Sequence, residues 1–471
     1  MSIDLKSENL YTQYLTRGKD EAKILGTSDI VKRSIDSGAA DQLLNMSSLP
    51  GVIGLPIGLP DIHKGYGFPI GSVVAMDPDN GSISPGGVGY DINCGVALIS
   101  TGVDAKTMRK YLRPLLDDLS SHIPVGTARS RNKLTESQIR TVVEEGIYWP
   151  YSMDMATEDD LIKTDFDGHL FGVDEVNISK EAYERGMNYF GTLGSGNHFL
   201  EVQRAEELID HEASEVYGLV QDMAYIMIHT GSRGLGHQVA TDYLEQIRAL
   251  PHNLNLPDPQ LSHIMLGSRE ADRYISAMNG AANYGFANRQ FIIYQVRKSL
   301  TRVLGREFDA EEAQLIYNIS HNLATFEDHH IEGRKRRLLV HRKGATRALP
   351  PDAVQGYYSG VGHPVLVPGS MGSASYVLRG KERNDAISMS TCSHGAGRSM
   401  GRKLARESIS PERVKEEMKR MNIEYTFGNE IAAVEESRES YKNIDEVYAA
   451  ITGSNIATGV AKLFPMGVLK G

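Results

Sequence analysis

Short apolar runs interrupted by glycine set the hydrophobic pattern of this chain. "SVVAM" (72–76), "GVALIS" (95–100), "AYIMI" (224–228) and "PVLV" (364–367) have the length and residue types of buried strands. Two longer stretches, "AKTMRKYLRPLLDDL" (105–119) and "NRQFIIYQVRKSLTRVL" (288–304), carry the apolar spacing of helices packed on a core. Most of the strand-like runs adjoin a glycine cluster. These are "DIHKGYGFPIG" (61–71), "SPGGVGYDINCG" (84–95), "GTLGSGNHF" (191–199), "HTGSRGLGH" (229–237), "PGSMGSAS" (368–375) and "SHGAGRSMG" (393–401). The pattern predicts an α+β protein of mixed sheets flanked by helices, with polar residues carried on glycine turns at the strand ends. No Pro/Ser-rich linker, low-complexity block or solenoid repeat divides the chain, so a single large domain is expected over 1–471.

Composition narrows the class. Hydrophobic residues make up 41% and charged residues 23% of 471, ordinary values for a globular protein with a large core. No run approaches the roughly 18 apolar residues of a membrane span, and the start "MSIDLKSENL" lacks a basic n-region and an apolar h-region. The expectation is a cytoplasmic protein with no membrane partner. Two cysteines, Cys94 and Cys392, exclude a disulfide framework, although one pairing remains open. A net charge of −10 argues against indiscriminate nucleic-acid binding. Locally, "GRKRRLLVHRKGATRA" (333–348) carries seven Lys or Arg and no acid. It is either a solvated face or a strand that points charge at a phosphodiester backbone.

Two constellations carry candidate chemistry. In "STCSHGAGRSMGR" (390–402), the apolar run 386–389 is expected to be a strand and "RSMGRKLARE" a helix. That places His394 at a strand end facing a helix N-terminus. Gly395 and Gly397 allow close backbone approach, so main-chain N–H groups could converge there on an anion. A histidine beside a phosphate can be an electrophilic aid, an acid or base, or a nucleophile; it can also merely cap its own turn. The second constellation is Asp91, Asn93 and Cys94 in "DINC", with His198, His229 and His321 at the polar ends of apolar runs. Taken singly, each histidine reads as a hydrogen-bonded structural residue. Together with a carboxylate and a thiol they are a transition-metal donor set, one that could hold two ions with sulfur as the bridge. Ligand softness alone favours zinc. Asp91 and His321 lie 230 positions apart, so spacing does not establish that they meet. His329 and His330 in "FEDHH" read as an exposed helix end, and His122, His211, His252 and His263 as loop residues.

Nine motifs occur in one order: "PDIHKGYGFPIG", "SPGGVGYDINCGV", "GTLGSGNHFLEVQ", "HTGSRGLGH", "SHN", "HRKGATRA", "PGSMGSASYVL", "SHGAGR" and the terminal "FPMGVLKG". On these the chain resembles the RtcB family of RNA-splicing ligases from about 49 to 471, with 1–48 of uncertain role. The resemblance implies a central metal and nucleotide cleft. It also implies joining of an RNA 3′-phosphate or 2′,3′-cyclic phosphate to a 5′-hydroxyl, with GTP and two Mn²⁺ ions, in tRNA splicing or RNA repair. An archease-type activator is a possible partner.

By the same resemblance, His394 is the nucleophile that becomes guanylylated. Asp91, Cys94, His198, His229 and His321 are the two-metal cage, with Cys94 bridging, and manganese displaces the zinc that softness suggests. Asn197, Glu201, Ser370, Ser375, Gly395, Ala396, Gly397, Tyr441 and Lys470 resemble the guanylate pocket. Glu201 and Lys470 supply an acceptor and a donor suited to the guanine edge, and Tyr441 a stacking surface. Arg233 and Arg398 are candidates for phosphate or RNA contact. Many relatives place a cysteine directly before the nucleophile, where this chain has Ser393, with Cys392 one position earlier. Two competing readings are a phosphodiesterase that only opens cyclic phosphates and an RNA-binding scaffold with a structural metal.

Overall fold

The apolar runs assemble into two large sheets. A computed structural model describes residues 2–331 and 333–471. Seven strands form the first sheet in the order Asp4–Asn9, Thr12–Arg17, Asp20–Leu25, Val52–Tyr66, Phe68–Met76, Arg334–Lys343 and Asn322–Ile331. The second runs Leu315–Ser320, Gly95–Asp104, Met223–Thr230, Phe199–Leu208, Ala457–Lys470, Ser375–Gly380 and Pro364–Val367, with Glu424–Phe427 paired parallel to Ala457–Lys470. All four expected strand runs fall within these elements, and the protein is α+β, with most of its pairings antiparallel.

Helices cover the second sheet for readable reasons. Ala105–His122 starts at Asp104, whose side chain accepts the Thr107 N–H, and buries Met108, Leu112, Leu115, Leu116 and Leu119. The second helix is longer than its apolar spacing suggests, running Arg269–Leu304 where 288–304 is expected. From 274 to 293 it has no exposed residue, so this part lacks the one-sided stripe that marks a surface helix. Gly280 there lies where a Cβ would come within 2.7 Å of Val143. No helix among the described residues is long and apolar enough to cross a membrane.

The chain passes directly from the second sheet to the first through a single residue. Ser320 ends a strand of the second sheet and Asn322 begins one of the first, leaving His321 at the joint. Its N–H donates to Cys94 O at 2.9 Å, and its carbonyl accepts from Ala345 N at 3.0 Å. Ala345 in turn pairs with Ser393, the residue before His394. Backbone hydrogen bonds alone thus bring three distant motifs side by side.

Several expectations are corrected. The run 386–389 is not a strand: a helix covers Asn384–Ser388, Met389 and Ser390 take positive φ, and the strand is Thr391–Ser393. Polar contacts with residues distant in sequence override the apolar run, since Asn384 Nδ2 donates to Ala348 O and Ile456 O, and Asp385 binds His329. His394 does end a strand, and the expected helix follows it, but only from Arg402. His329 and His330 lie on the strand Asn322–Ile331, not at a helix end; His329 is buried between Glu327 and Asp385. His122 and His211 belong to helices rather than loops, whereas His263 does lie in a loop, but a buried one. Both cysteines are free.

Candidate active site

A cavity of about 480 Å³ takes its walls from both sheets. Asp91, Cys94, Asn197, His198, His229, His321, Ser370, His394, Gly395, Ala396, Gly397, Arg398, Tyr441 and Lys470 all line it. Glu201, Ser375 and Arg233 are not among its walls.

The turn 91–94 is held from behind. Asn93 has φ 52°, a conformation Asn tolerates better than most residues, and its side chain is locked: Nδ2 donates to Ala282 O, while Oδ1 accepts from Arg289 and Ser320. Arg289 is fully buried and also donates to Asn93 O and Thr230 O, tying this turn to the strand that delivers His229. Gly231 permits the close approach, because a Cβ there would come within 2.6 Å of Asp91 Oδ1 and 2.7 Å of Cys94 Cα.

Five donors converge in front of this scaffold. Cys94 Sγ lies 3.3 Å from His198 Nε2 and 3.3 Å from His229 Nε2, and His229 Nε2 lies 3.3 Å from His321 Nε2. Asp91 Oδ2 sits 2.8 Å from His198 Nε2, yet this buried oxygen has no hydrogen-bond partner. A carboxylate oxygen and imidazole nitrogens aimed at one another in this way are the donor set of a cation site. Ligand atoms fall into two groups within 4.8 Å, Asp91/Cys94/His198 and Cys94/His229/His321, and Cys94 belongs to both. The residues therefore fit two cations sharing a thiolate. Burial, reinforced by neighbouring cationic groups, holds His229 and His321 well below the usual imidazole range, so both present neutral lone pairs. His198 Nδ1 lies 2.9 Å from Leu193 O; its N–H donates there and turns Nε2 toward Cys94.

His394 stands beside the cage, its ring centroid 4.8 Å from that of His321. Its Nδ1 is 2.7 Å from Asp61 Oδ2, and the same oxygen accepts the His394 backbone N–H at 3.1 Å. With the Nδ1 proton committed to Asp61, the lone pair is left on Nε2. Burial opposes the Asp61 anion, but the hydrogen bond from His394 and the charge of Lys442 outweigh it and hold Asp61 below the usual carboxylate range. Lys442 is fixed by Pro60 O and Ile62 O. Gly397 closes the turn at φ 70°, where a Cβ would strike Asp61 O at 2.1 Å. The turn is less open to an anion than its glycines suggest: the N–H of His394 goes to Asp61 and that of Ala396 to Pro368 O.

The opposite wall is built from paired charges. Buried Glu436 accepts from Arg398 at 3.0 Å and from Tyr441 Oη, and lies 3.9 Å from Lys470 Nζ. Arg398 also donates to Glu435 O, and its guanidinium sits over the Tyr441 ring. Glu201 lies behind this wall. Its Oε2 accepts from Gln203, whose Nε2 also donates to Ser375 Oγ. Burial pushes the Glu201 carboxyl up to about 7, against the pull of Gln203 and Lys470. Arg233 packs on the cage from outside, donating to Thr192 Oγ1 with NH1 3.3 Å from His198 Nδ1.

The basic stretch 333–348 is a solvated face only at its outer end, where Arg334, Lys335 and Arg337 are exposed, and most of its other charges are paired. Arg342 pairs with Glu327, Arg347 with Asp165, Arg336 with Asp77 and Lys335 with Asp328. Lys343 is buried, with Nζ on Tyr66 O and Phe68 O. In a strand that runs from the surface into the core, charged residues at the inner end must be paired or bonded. Asp61, Lys442, Glu436 and Arg289 went unread in the sequence. Asp61 alone carried a signal, standing two residues before His63 in a quoted glycine motif.

Residues 42–471 match the family model described as tRNA-splicing ligase RtcB. A "tRNA-splicing ligase RtcB" of Thermococcus kodakarensis is 39% identical over 455 residues, covering 95% of this chain and 94% of its own. The Aeropyrum pernix protein of the same name is 40% identical, covering 91% of each chain. The "RNA-splicing ligase RtcB homolog 1" of Entamoeba histolytica is 40% identical over 92% of this chain and 84% of its own. The Thermococcus alignment leaves only 5% of this chain uncovered, so the likeness reaches into the segment before residue 49, further than the motifs alone suggest. A cavity that gathers a two-cation donor set and a carboxylate-oriented histidine, in a chain matched by this family across 42–471, belongs to a member of the tRNA-splicing ligase RtcB family.

Proposed function

We propose that this chain is an RNA ligase that uses GTP and two Mn²⁺ ions to join an RNA 2′,3′-cyclic phosphate or 3′-phosphate to a 5′-hydroxyl, with tRNA halves as the first candidates. The observation that carries the reading is His394: its Nδ1 is committed to Asp61, its Nε2 is left as the nucleophilic atom, and a five-donor cage shares its cavity. Asp91 and His198 would hold one ion, His229 and His321 the other, and Cys94 both. Bound there, the ions supply Lewis-acid stabilisation of charge on phosphate oxygens.

In the first step His394 Nε2 attacks the α-phosphorus of GTP; a P–N bond forms, the bond to the bridging oxygen breaks, and pyrophosphate leaves. The ring then carries a proton on Nδ1 and phosphorus on Nε2, and the buried Asp61 carboxylate offsets its positive charge. The RNA 3′-phosphate, opened from a cyclic phosphate where necessary, next takes the guanylate from His394. The P–N bond breaks, and an RNA(3′)pp(5′)G end forms. Finally the 5′-hydroxyl attacks the RNA-side phosphorus and GMP leaves. Lys470, a donor on the cavity wall, suits guanine O6, where adenine presents an amino group. Asn197, Ser370, Gly395, Ala396, Gly397 and Tyr441 complete the nucleotide wall. Glu201 and Ser375 support it from behind.

The test is α-labelled GTP with the purified protein. An acid-labile, alkali-stable GMP adduct that disappears in His394→Ala is the expected result. A labelled adduct that persists in that variant would overturn the assignment.

A further inference from the structure

Three aromatic rings on the cavity wall have no part in the cage or the nucleotide wall. Tyr66 ends the strand Val52–Tyr66, Tyr90 immediately precedes Asp91, and His237 lies on the helix Arg233–Ile247. Tyr90 and His237 are stacked, with centroids 4.9 Å apart and planes at 28°, and Tyr66 meets Tyr90 edge-on at 5.3 Å. All three line the cavity, and Tyr66 and His237 are exposed. Rings buried for packing would be covered on their outer faces. These border the cavity, and Tyr90 is one residue from a cage ligand. Exposed Arg248 stands at the outer end, 3.5 Å from Tyr66 Oη.

We infer that Tyr66, Tyr90 and His237 form a stacking seat for the terminal base of an RNA end whose phosphate or hydroxyl lies at the cage. The inference rests on the ligase reading and names where that substrate is gripped. Flat rings accept any base, because every base has a π-face, and splayed single-stranded ends are what aromatic side chains recognise in RNA. The seat therefore predicts affinity for an unpaired end without a strong sequence preference. Either end, the 3′-phosphate strand or the 5′-hydroxyl strand, offers this chemistry.

The experiment measures binding of short RNAs to the full chain with Mn²⁺, each RNA carrying or lacking its terminal base. One arm uses the 3′-phosphate strand and the other the 5′-hydroxyl strand. In the wild type, removal of the base from one of the two strands should weaken binding by roughly 5- to 150-fold, the range for loss of one aromatic stack. Tyr66→Ala and Tyr90→Ala should bind the intact strand about as weakly as wild type binds the abasic one, and should lose little more on the abasic strand. Tyr66→Phe should retain full affinity. A 2-aminopurine at the same terminus should be quenched on binding to wild type and less so in Tyr66→Ala, a readout that an unstable Tyr90 variant leaves intact. Equal wild-type affinity for intact and abasic ends in both arms overturns the seat and leaves the ligase reading standing. Failure of the wild type to transfer GMP to any RNA end defeats the ligase reading instead.

Discussion

In the cage, the ligand atoms of five side chains face one another, and one buried oxygen, Asp91 Oδ2, has no hydrogen-bond donor; across the cavity, around Glu436, each charge already has a partner. Burial holds the cage imidazoles of His229 and His321 neutral and pushes the Cys94 thiol well up, so this wall gathers neutral donors around the Asp91 carboxylate. Arg398 and Lys470 meanwhile converge with Tyr441 on one carboxylate, which offsets one of their two positive charges. The contrast separates two ways of keeping polar groups in a dry place. One gathers lone pairs suited to a cation, and the other sets its charges around a shared carboxylate and lets a ligand add to an existing network. Loss of a cage donor should therefore be far costlier to function than loss of one charge on the paired wall.

The largest effect is expected at the residue between the two walls, where His394→Ala should reduce the GMP adduct to background in a labelled-GTP assay. Next comes the shared donor. Cys94→Ser should weaken both cation sites together by more than roughly 100-fold, since changes outside the ligand shell alone cost 10- to 100-fold. His321→Ala should chiefly weaken the site made with His229. Elemental analysis and metal titration check both; full occupancy by two ions in Cys94→Ser would remove the bridge. On the paired wall, Lys470→Met should lower adduct formation by about one to two orders of magnitude, from a charged hydrogen bond worth roughly 1.5–3 kcal/mol. The preference for GTP over ATP should narrow with it. Substitution is a cleaner test than truncation, because Lys470 pairs in register with Phe199 and Phe427, and Gly428 donates to its carbonyl.

The smallest effect lies away from the cavity, where His329 repeats the paired plan with no ligand to bind. Burial alone would depress this imidazole, but the carboxylates of Asp385 and Glu327 outweigh it and raise it above its ordinary value. A raised histidine contributes stability that is fully present below the unfolded value near 6.5 and is lost as pH rises through the higher folded value. Melting temperatures of the wild type should thus fall on going from pH 6 toward mildly alkaline conditions. His329→Gln should lose roughly 1.5–3 kcal/mol at pH 6 and flatten that slope. An unchanged slope would show that the pair carries no net stability.

The cage was legible because strand ends deliver side chains predictably: His229 and His321 follow runs that really are strands, and "DINC" opens another. His394 was legible for the same reason, although the strand before it is three residues long and the expected helix starts only at Arg402. What escaped was whatever depends on partners distant in sequence. Asp61 acquires its role from a residue 333 positions away, and Arg289 is an ordinary helix arginine until the fold surrounds it with Asn93, Thr230 and Asn318. The charges in 342–347 looked available for the same reason, since nothing local reveals that Glu327 and Asp165 lie opposite them.

The central claim is that His394 hands its guanylate to an RNA 3′-phosphate and leaves a 5′-hydroxyl as the last nucleophile. The direct measurement offers the protein, with GTP and Mn²⁺, two RNA pairs: one with labelled 3′-phosphate and 5′-hydroxyl ends, the other with 3′-hydroxyl and labelled 5′-phosphate ends. Sealing of the first pair alone is predicted, with the label from the 3′ side retained in the junction. Sealing of the second pair alone would contradict the account.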